Sequence, residues 1–171
     1  FGLQQSLRRL GERSGYPIAT TLRGKSIVSE RHPQHIGIYE GAMGSDYARR
    51  MVEKSDCVLI LGAFLTDIDL GIFTARLDIA RTINASADRI AIRHHNFEDI
   101  VLRDFIEGLA KKLAGKRVPL PAVPRPRIKP FRPMPRRQIT VSRFFERMNG
   151  FLEDDSLVIC DIGDSLFGAA D

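Results

Sequence analysis

Residues 56–64 read DCVLILGAF, and their pattern decides the fold class. Five consecutive apolar residues, 57–61, lie between Asp56 and Gly62. A strand with one wet face alternates apolar and polar residues. An unbroken run of this length is the pattern of a strand covered on both faces of a parallel sheet. Working outward, Ser45 can cap a helix whose apolar face is Tyr47, Ala48, Met51 and Val52. Residues 23–44 are Gly-rich and irregular and contain His32 and His35. Residues 18–21 read as a short strand. Before it, Leu3, Leu7 and Leu10 recur at helical spacing, and Gly15 and Pro17 end that helix. Downstream, residues 82–85 and 89–93 read as strands. Residues 97–113 read as a helix that turns Ile106, Leu109 and Leu113 inward, with Lys111 and Lys112 at its negative end and Gly115 beyond.

Repeated strand–helix units predict an α/β fold, a Rossmann-like parallel sheet flanked by helices. In such sheets ligands bind outside the carboxyl ends of the strands. Those ends are Thr20 and Thr21, Gly62 to Phe64, His94 to Asn96, and, further on, Gly163 to Ser165.

The chain has 171 residues, 43% hydrophobic and 27% charged, which fits a globular protein. No apolar run approaches the roughly 20 residues of a membrane helix, and no signal peptide is visible at the start. The absence of a starting Met leads us to expect a piece of something longer. The net charge of +5 is local: residues 116–137 hold eight basic residues and no acidic one, with seven of the nine prolines. Proline fixes φ and donates no backbone hydrogen bond, so this segment reads as an extended linker. A phosphate-binding tail is the weaker reading, because only Phe131 is there to stack on bases. Pro121-x-x-Pro124 with Arg125 matches a polyproline ligand, a pattern common by chance. After the linker, Thr140 caps a helix expected to bury Phe144, Phe145, Met148 and Leu152, and residues 157–161 read as a strand. One helix and one strand close no core, so this second α/β unit reads as incomplete. The division is residues 1–115, linker 116–137, and 138–171.

Cys57 and Cys160 sit in apolar runs and read as free buried thiols; without a Cys-x-x-Cys pair there is no zinc or redox motif. This usage points to a reducing, cytoplasmic setting. Gly163-Asp164-Ser165 at a strand end could bring backbone N–H groups to a phosphate, or form an ordinary tight turn. His94-His95 reads as a surface pair, because adjacent side chains project to opposite sides. His32 and His35, with Glu30 and Glu40, make a weak metal-site candidate. Gly41-x-x-Gly44 before a helix could hold an anion but lacks the three spaced glycines of the dinucleotide fingerprint.

The stretches FGLQQSL, GYPIATTLRGKS, SERHPQHIGIYEGAMG, SDCVLILGAFLTDIDLGIFTARLD and IAIRHHNFED together resemble the middle domain of thiamine-diphosphate-dependent 2-oxo-acid decarboxylases. ITVSRFFERMNGFL and LVICDIGDSLFGAAD resemble the opening of the same enzymes' diphosphate-binding domain. The resemblance is to the pyruvate and indolepyruvate decarboxylase branch. It implies a parent enzyme that converts a 2-oxo acid to an aldehyde and CO2, using thiamine diphosphate and Mg²⁺, as a homodimer or homotetramer. It implies that Ile162, Gly163 and Asp164 match the start of the cofactor site, with Asp164 at the diphosphate end, Ile162 near the aminopyrimidine and Ser165 as an adjacent candidate. In some relatives the position of Asp164 is threonine.

The family's acid–base groups, a glutamate and a histidine pair, belong to the pyrimidine-binding domain. No catalytic residue or metal ligand is therefore assigned here, and these residues are expected to be inactive alone. His94-His95 is not that pair. The acetolactate synthase branch, which binds FAD, carries an Arg-Phe-Asp-Asp-type run after its Leu-Gly-Ala strand end. Here the run is Phe64-Leu65-Thr66-Asp67, without arginine, which argues against FAD. The alternative reading is a middle domain that binds a regulatory nucleotide or 2-oxo acid at Gly62 to Phe64 and His94 to Asn96. No membrane or nucleic-acid partner is expected.

Overall fold

A computed structural model describes residues 2–113, 115, 118–119, 122–125 and 130–170. The chain divides into two compact units, Phe1–Pro124 and Arg125–Asp171. The linker expected at 116–137 falls partly outside the described residues, as does Pro121 of the polyproline match. Among the described residues no helix is long and apolar enough to cross a membrane.

The first unit opens with α1, Gln4–Ser14. Gly15 ends it in the left-handed conformation, its N–H donating to the Gly11 carbonyl at 2.8 Å. Two strands follow, β1 (Ile18–Thr20) and β2 (His35–Ile38), paired in parallel. The second was expected to be irregular chain. Gln34 joins these elements. Its buried amide donates to the carbonyls of Gly11 and Tyr16 at 2.7 and 2.8 Å, and its own carbonyl accepts from Ile18 N–H. Helix α2 (Asp46–Glu53) is capped by Ser45, whose Oγ accepts from Ala48 N–H. Ala48 is fully buried. Gly37 sits beneath it at φ +120°, and a Cβ there would lie 3.0 Å from Ser45 Cβ and Oγ. Gly37→Ala is therefore expected to cost about 1–3 kcal/mol of stability, read as a lowered urea midpoint.

The larger sheet runs β3 (Val58–Leu61), β4 (Thr82–Ala85), β5 (Arg89–Ile92), β6 (His95–Glu98). The pair β3–β4 is parallel, as expected of an α/β domain. The pairs β4–β5 and β5–β6 are antiparallel hairpins, which strand-by-strand reading did not show. The second hairpin turns through Arg93, at φ 56°, and His94. Residues 97 and 98 thus belong to β6, and α3 begins later than expected, at Leu102–Lys112. The expected double-sided burial of β3 is also corrected. As an edge strand it is half-buried throughout, and Cys57, just before it, is exposed.

Helices α1 and α3 cover this sheet. Leu3 and Leu10 of the first helical segment, Leu102, Ile106 and Ala110 of α3, and Ala85 and Ile90 of the sheet form the core. Ile83 pairs across from Ile92, and Ala85 across from Ile90, so one face of the hairpin is apolar.

The second unit holds α4 (Val141–Asn149) and α5 (Asp164–Ala170). Thr140 Oγ1 accepts from Arg143 N–H at 3.3 Å, the expected cap. The expected burial is only partial: Phe145 and Met148 are half-buried, whereas Phe144 and Leu152 are exposed. Phe145 packs on Gly168 of α5, where a Cβ would come within 2.3 Å of the ring. Phe131 lies against the Arg143 guanidinium at 5.1 Å. Residues 157–161 form no strand. Leu157 and Ile159 are 86% and 87% exposed, and Cys160 is half-buried rather than buried. A strand needs a neighbour for its N–H and C=O groups, and none pairs with this run among the described residues.

Candidate functional site

Two of the expected strand ends in the first unit come together. Arg23, just beyond β1, reaches across to the loop after β3. Its guanidinium donates to the Phe64 carbonyl and to Asp69 Oδ2, and lies 5.7 Å from the centre of the Phe64 ring. Asp69 Oδ2 also accepts from the Thr66 N–H and hydroxyl, at 3.1 and 2.9 Å. Burial alone would raise the Asp69 carboxyl, which is 1% exposed. The hydrogen bonds from Arg23 and Thr66, with the Arg23 charge, outweigh that and hold it below the usual carboxylate range.

Glu40 follows β2 and is also buried. Burial, and then the Asp69 charge, push its carboxyl above the usual range. Among the described residues, Glu40 Oε1 and Asp69 Oδ1 are buried without a hydrogen-bond partner. Glu40 and Asp69 thus form a buried acid pair, with one carboxyl pushed above the usual range and the other held below it.

Other expected features play structural parts. His94 and His95 lie in the β5–β6 hairpin, so the expectation that a parallel strand ends there is corrected. Gly41 and Gly44 are both closely packed. A Cβ on Gly41 would meet Thr74 Oγ1 at 2.5 Å, and one on Gly44 would meet Glu40 N at 2.7 Å. His35 is buried on β2, its Nε2 3.3 Å from Thr20 Oγ1. Among the described residues no three His, Cys, Asp or Glu side chains gather as metal ligands.

In the second unit, Ile162 and Gly163 form a turn, and Asp164 and Ser165 begin α5 rather than continuing a turn at a strand end. Gly163 stands at φ +125°, with nothing within 4 Å of where a Cβ would be, and its carbonyl accepts from the N–H of Leu166 and of Phe167. Ser165 Oγ donates to the Asp161 carbonyl at 2.9 Å, and Ile162 N–H donates to Asp161 Oδ1 at 2.8 Å. Ile162 is 79% exposed, and Asp164 is exposed.

Residues 1–113 match the family described as "Thiamine pyrophosphate enzyme, central domain". The chain belongs to this family. The thiamine pyrophosphate enzyme central domain accordingly accounts for the helices, sheets and core of the first unit. Among curated relatives, this chain is 30% identical over 162 residues to "Pyruvate decarboxylase 2" of Nicotiana tabacum, covering 92% of this chain and 26% of the relative. It is 30% identical over 154 residues to "Alpha-keto-acid decarboxylase" of Mycobacterium leprae, covering 89% and 27%. It is 29% identical over 113 residues to "Indole-3-pyruvate decarboxylase" of Azospirillum brasilense, covering 66% and 21%. The chain spans about a quarter of the length of these relatives.

The acid pair Glu40–Asp69 was not visible in sequence. The spacing Thr66-x-x-Asp69 was the available signal, since a threonine three residues before a carboxylate can close a local hydrogen-bonded loop.

Proposed function

We propose that this chain is part of a non-oxidative 2-oxo-acid decarboxylase that uses thiamine diphosphate and Mg²⁺ and converts a 2-oxo acid, such as pyruvate or indolepyruvate, to an aldehyde and CO2. The observation that carries this reading is the 162-residue match to a pyruvate decarboxylase, which is longer than the central domain and so includes residues of the second unit. We read residues 1–115 as the middle domain, 116–137 as a linker and 138–171 as the start of the diphosphate-binding domain. We read the parent enzyme as a cytoplasmic homodimer or homotetramer.

The turn at 162–165 fits one edge of a cofactor site. The open space around Gly163 lets a ligand approach the backbone closely. Asp164 offers an exposed carboxylate suited to the Mg²⁺–diphosphate end. Ile162 offers an exposed apolar surface for the aminopyrimidine. The Ser165 hydroxyl, which donates to the Asp161 carbonyl, steadies the turn and can still accept a hydrogen bond. Bound there, the thiazolium ring supplies the electron sink for loss of CO2. The chain's own part at this turn is to hold and orient the cofactor.

In the full-length protein that contains this chain, aldehyde formation is expected to require both thiamine diphosphate and Mg²⁺. Asp164→Ala is expected to raise the cofactor concentration for half-maximal activity about tenfold, the effect of losing one charge-assisted contact. The 171 residues alone are expected to give no turnover. Full activity of the isolated chain, or an unchanged cofactor requirement in the variant, would contradict this assignment.

A further inference from the structure

A cavity in the first unit lies between α2 and residues 73–76, with a volume of about 580 Å³. That is within the roughly 300–1,000 Å³ of small-molecule sites. None of its lining residues belongs to the strand ends at Thr20 or Gly62–Phe64. Four cations line it: Arg49, Arg50, Lys54 and Arg76. Arg49 pairs with Asp46 at 2.8 Å. Arg50, Lys54 and Arg76 form no ion pair among the described residues. The single acid in the wall, Glu53, accepts at Oε1 from the Tyr39 hydroxyl at 3.3 Å and from Arg76 N–H at 3.1 Å; these neutral donors leave its negative charge in place, and the four cations outnumber it. Arg50 and Lys54 stand four residues apart on one helix, a spacing at which like charges repel. Arg76 adds a third positive charge to the same cavity.

The cavity wall also carries an exposed aromatic ring. Phe73 is 75% exposed and sits at φ 61°, directly after Ile72 at φ 52°. Left-handed backbone is costly for a β-branched or bulky residue, and two such residues in succession persist only where neighbouring contacts fix them. Here Ile72 N–H donates to the Asp67 carbonyl, and Thr74 and Ala75 N–H both donate to the Leu70 carbonyl. Thr74 Oγ1 donates to the Gly71 carbonyl and accepts from Ala42 N–H, which ties the loop to the segment after β2. The loop backbone is thus fixed, and it presents an exposed ring in the wall of a cavity in which positive charge is in excess.

We propose that this cavity binds an organic phosphate, with the phosphoryl group on Arg50, Lys54 and Arg76 and a flat apolar body against Phe73. A phosphoryl dianion suits three cations lining one cavity better than a monovalent carboxylate does. Guanidinium groups bind its oxygens through paired, charge-assisted hydrogen bonds. The apolar body covers Phe73, which this chain leaves wet.

Isothermal titration of the 171-residue chain with phenyl phosphate, inorganic phosphate and benzoate tests the site. Phenyl phosphate is expected to bind saturably, more tightly than inorganic phosphate, with benzoate weakest. The double variant Arg50→Gln/Arg76→Gln is expected to weaken phenyl phosphate about tenfold or more. Phe73→Asn, a residue that tolerates left-handed backbone, is expected to bring phenyl phosphate down to the level of inorganic phosphate while leaving the latter unchanged. Arg50 and Arg76 are exposed, so the double variant's unfolding midpoint without ligand is expected to stay put, and Phe73→Asn is expected not to lower it. If the double variant does not fold, Lys54→Gln alone is expected to show the same selective loss. No saturable heat with phenyl phosphate would overturn the proposal, as would equal binding by the charge variants or benzoate binding as tightly as phenyl phosphate.

Discussion

Ile106→Ala is expected to lower the unfolding free energy by about 2–5 kcal/mol, the largest effect of any single truncation considered for this chain. Ile106 is 1% exposed and belongs to the cluster that joins α1, α3 and the larger sheet. Removing three carbons there forfeits their transfer out of water and leaves a cavity that helices packed from two sides close only in part. Arg103, on the same helix, is exposed, and Arg103→Ala is expected to change stability by less than about 0.5 kcal/mol. Urea unfolding of both variants separates a packing effect from a helix-propensity effect. Equal losses in the two would contradict the assignment of Ile106 to the core.

Asp69→Ala is expected to cost about 1–3 kcal/mol at neutral pH, because it strips the shared acceptor from buried polar groups. The Thr66 N–H and hydroxyl and the Arg23 guanidinium all donate to Asp69 Oδ2. Glu40→Gln is expected to act in the opposite direction. The Glu40 carboxyl is pushed up by burial and then by the Asp69 charge, so the fold favours its protonated form. Its favourable contribution is complete below the ordinary carboxylate pKa and is lost as pH rises through that value toward the raised one. An amide mimics the protonated acid and carries no such dependence. The gain from Glu40→Gln is therefore expected at pH 7 and not at pH 4.

Asp69 has the reverse sign. Its carboxyl is held low, so its contribution is present at neutral pH and lost as pH falls through the depressed value. Urea midpoints of the three proteins at pH 7 and pH 4 check both directions. A loss of stability in Glu40→Gln at pH 7 would show that the carboxylate is satisfied in the fold.

The elements legible in sequence were those whose signals are local. Leu3, Leu7 and Leu10 with Gly15 gave α1, and Ser45 before an apolar face gave α2. Elements set by a neighbour were not legible. Strand β2 contains a histidine and a glycine in four residues and exists because β1 pairs with it. Strand β6 is exposed at all four positions and is defined only by its hairpin with β5. The converse holds at 157–161, where the apolar composition of a strand is present and no pairing partner is. The family was readable because it rests on many residues at once. The acid pair was not, because its members are 29 positions apart and meet only through the loop after β3.

The chemistry assigned to the parent enzyme is tested most directly by following a carboxyl-labelled 2-oxo acid by ¹³C NMR. The full-length protein containing this chain is incubated with thiamine diphosphate, Mg²⁺ and pyruvate, then with indolepyruvate. The expected result is labelled CO2 together with an equal amount of the aldehyde one carbon shorter, and neither product when the cofactor is withheld. Retention of the label in a carboxylic acid, release of CO2 without aldehyde, or turnover independent of thiamine diphosphate would contradict the account.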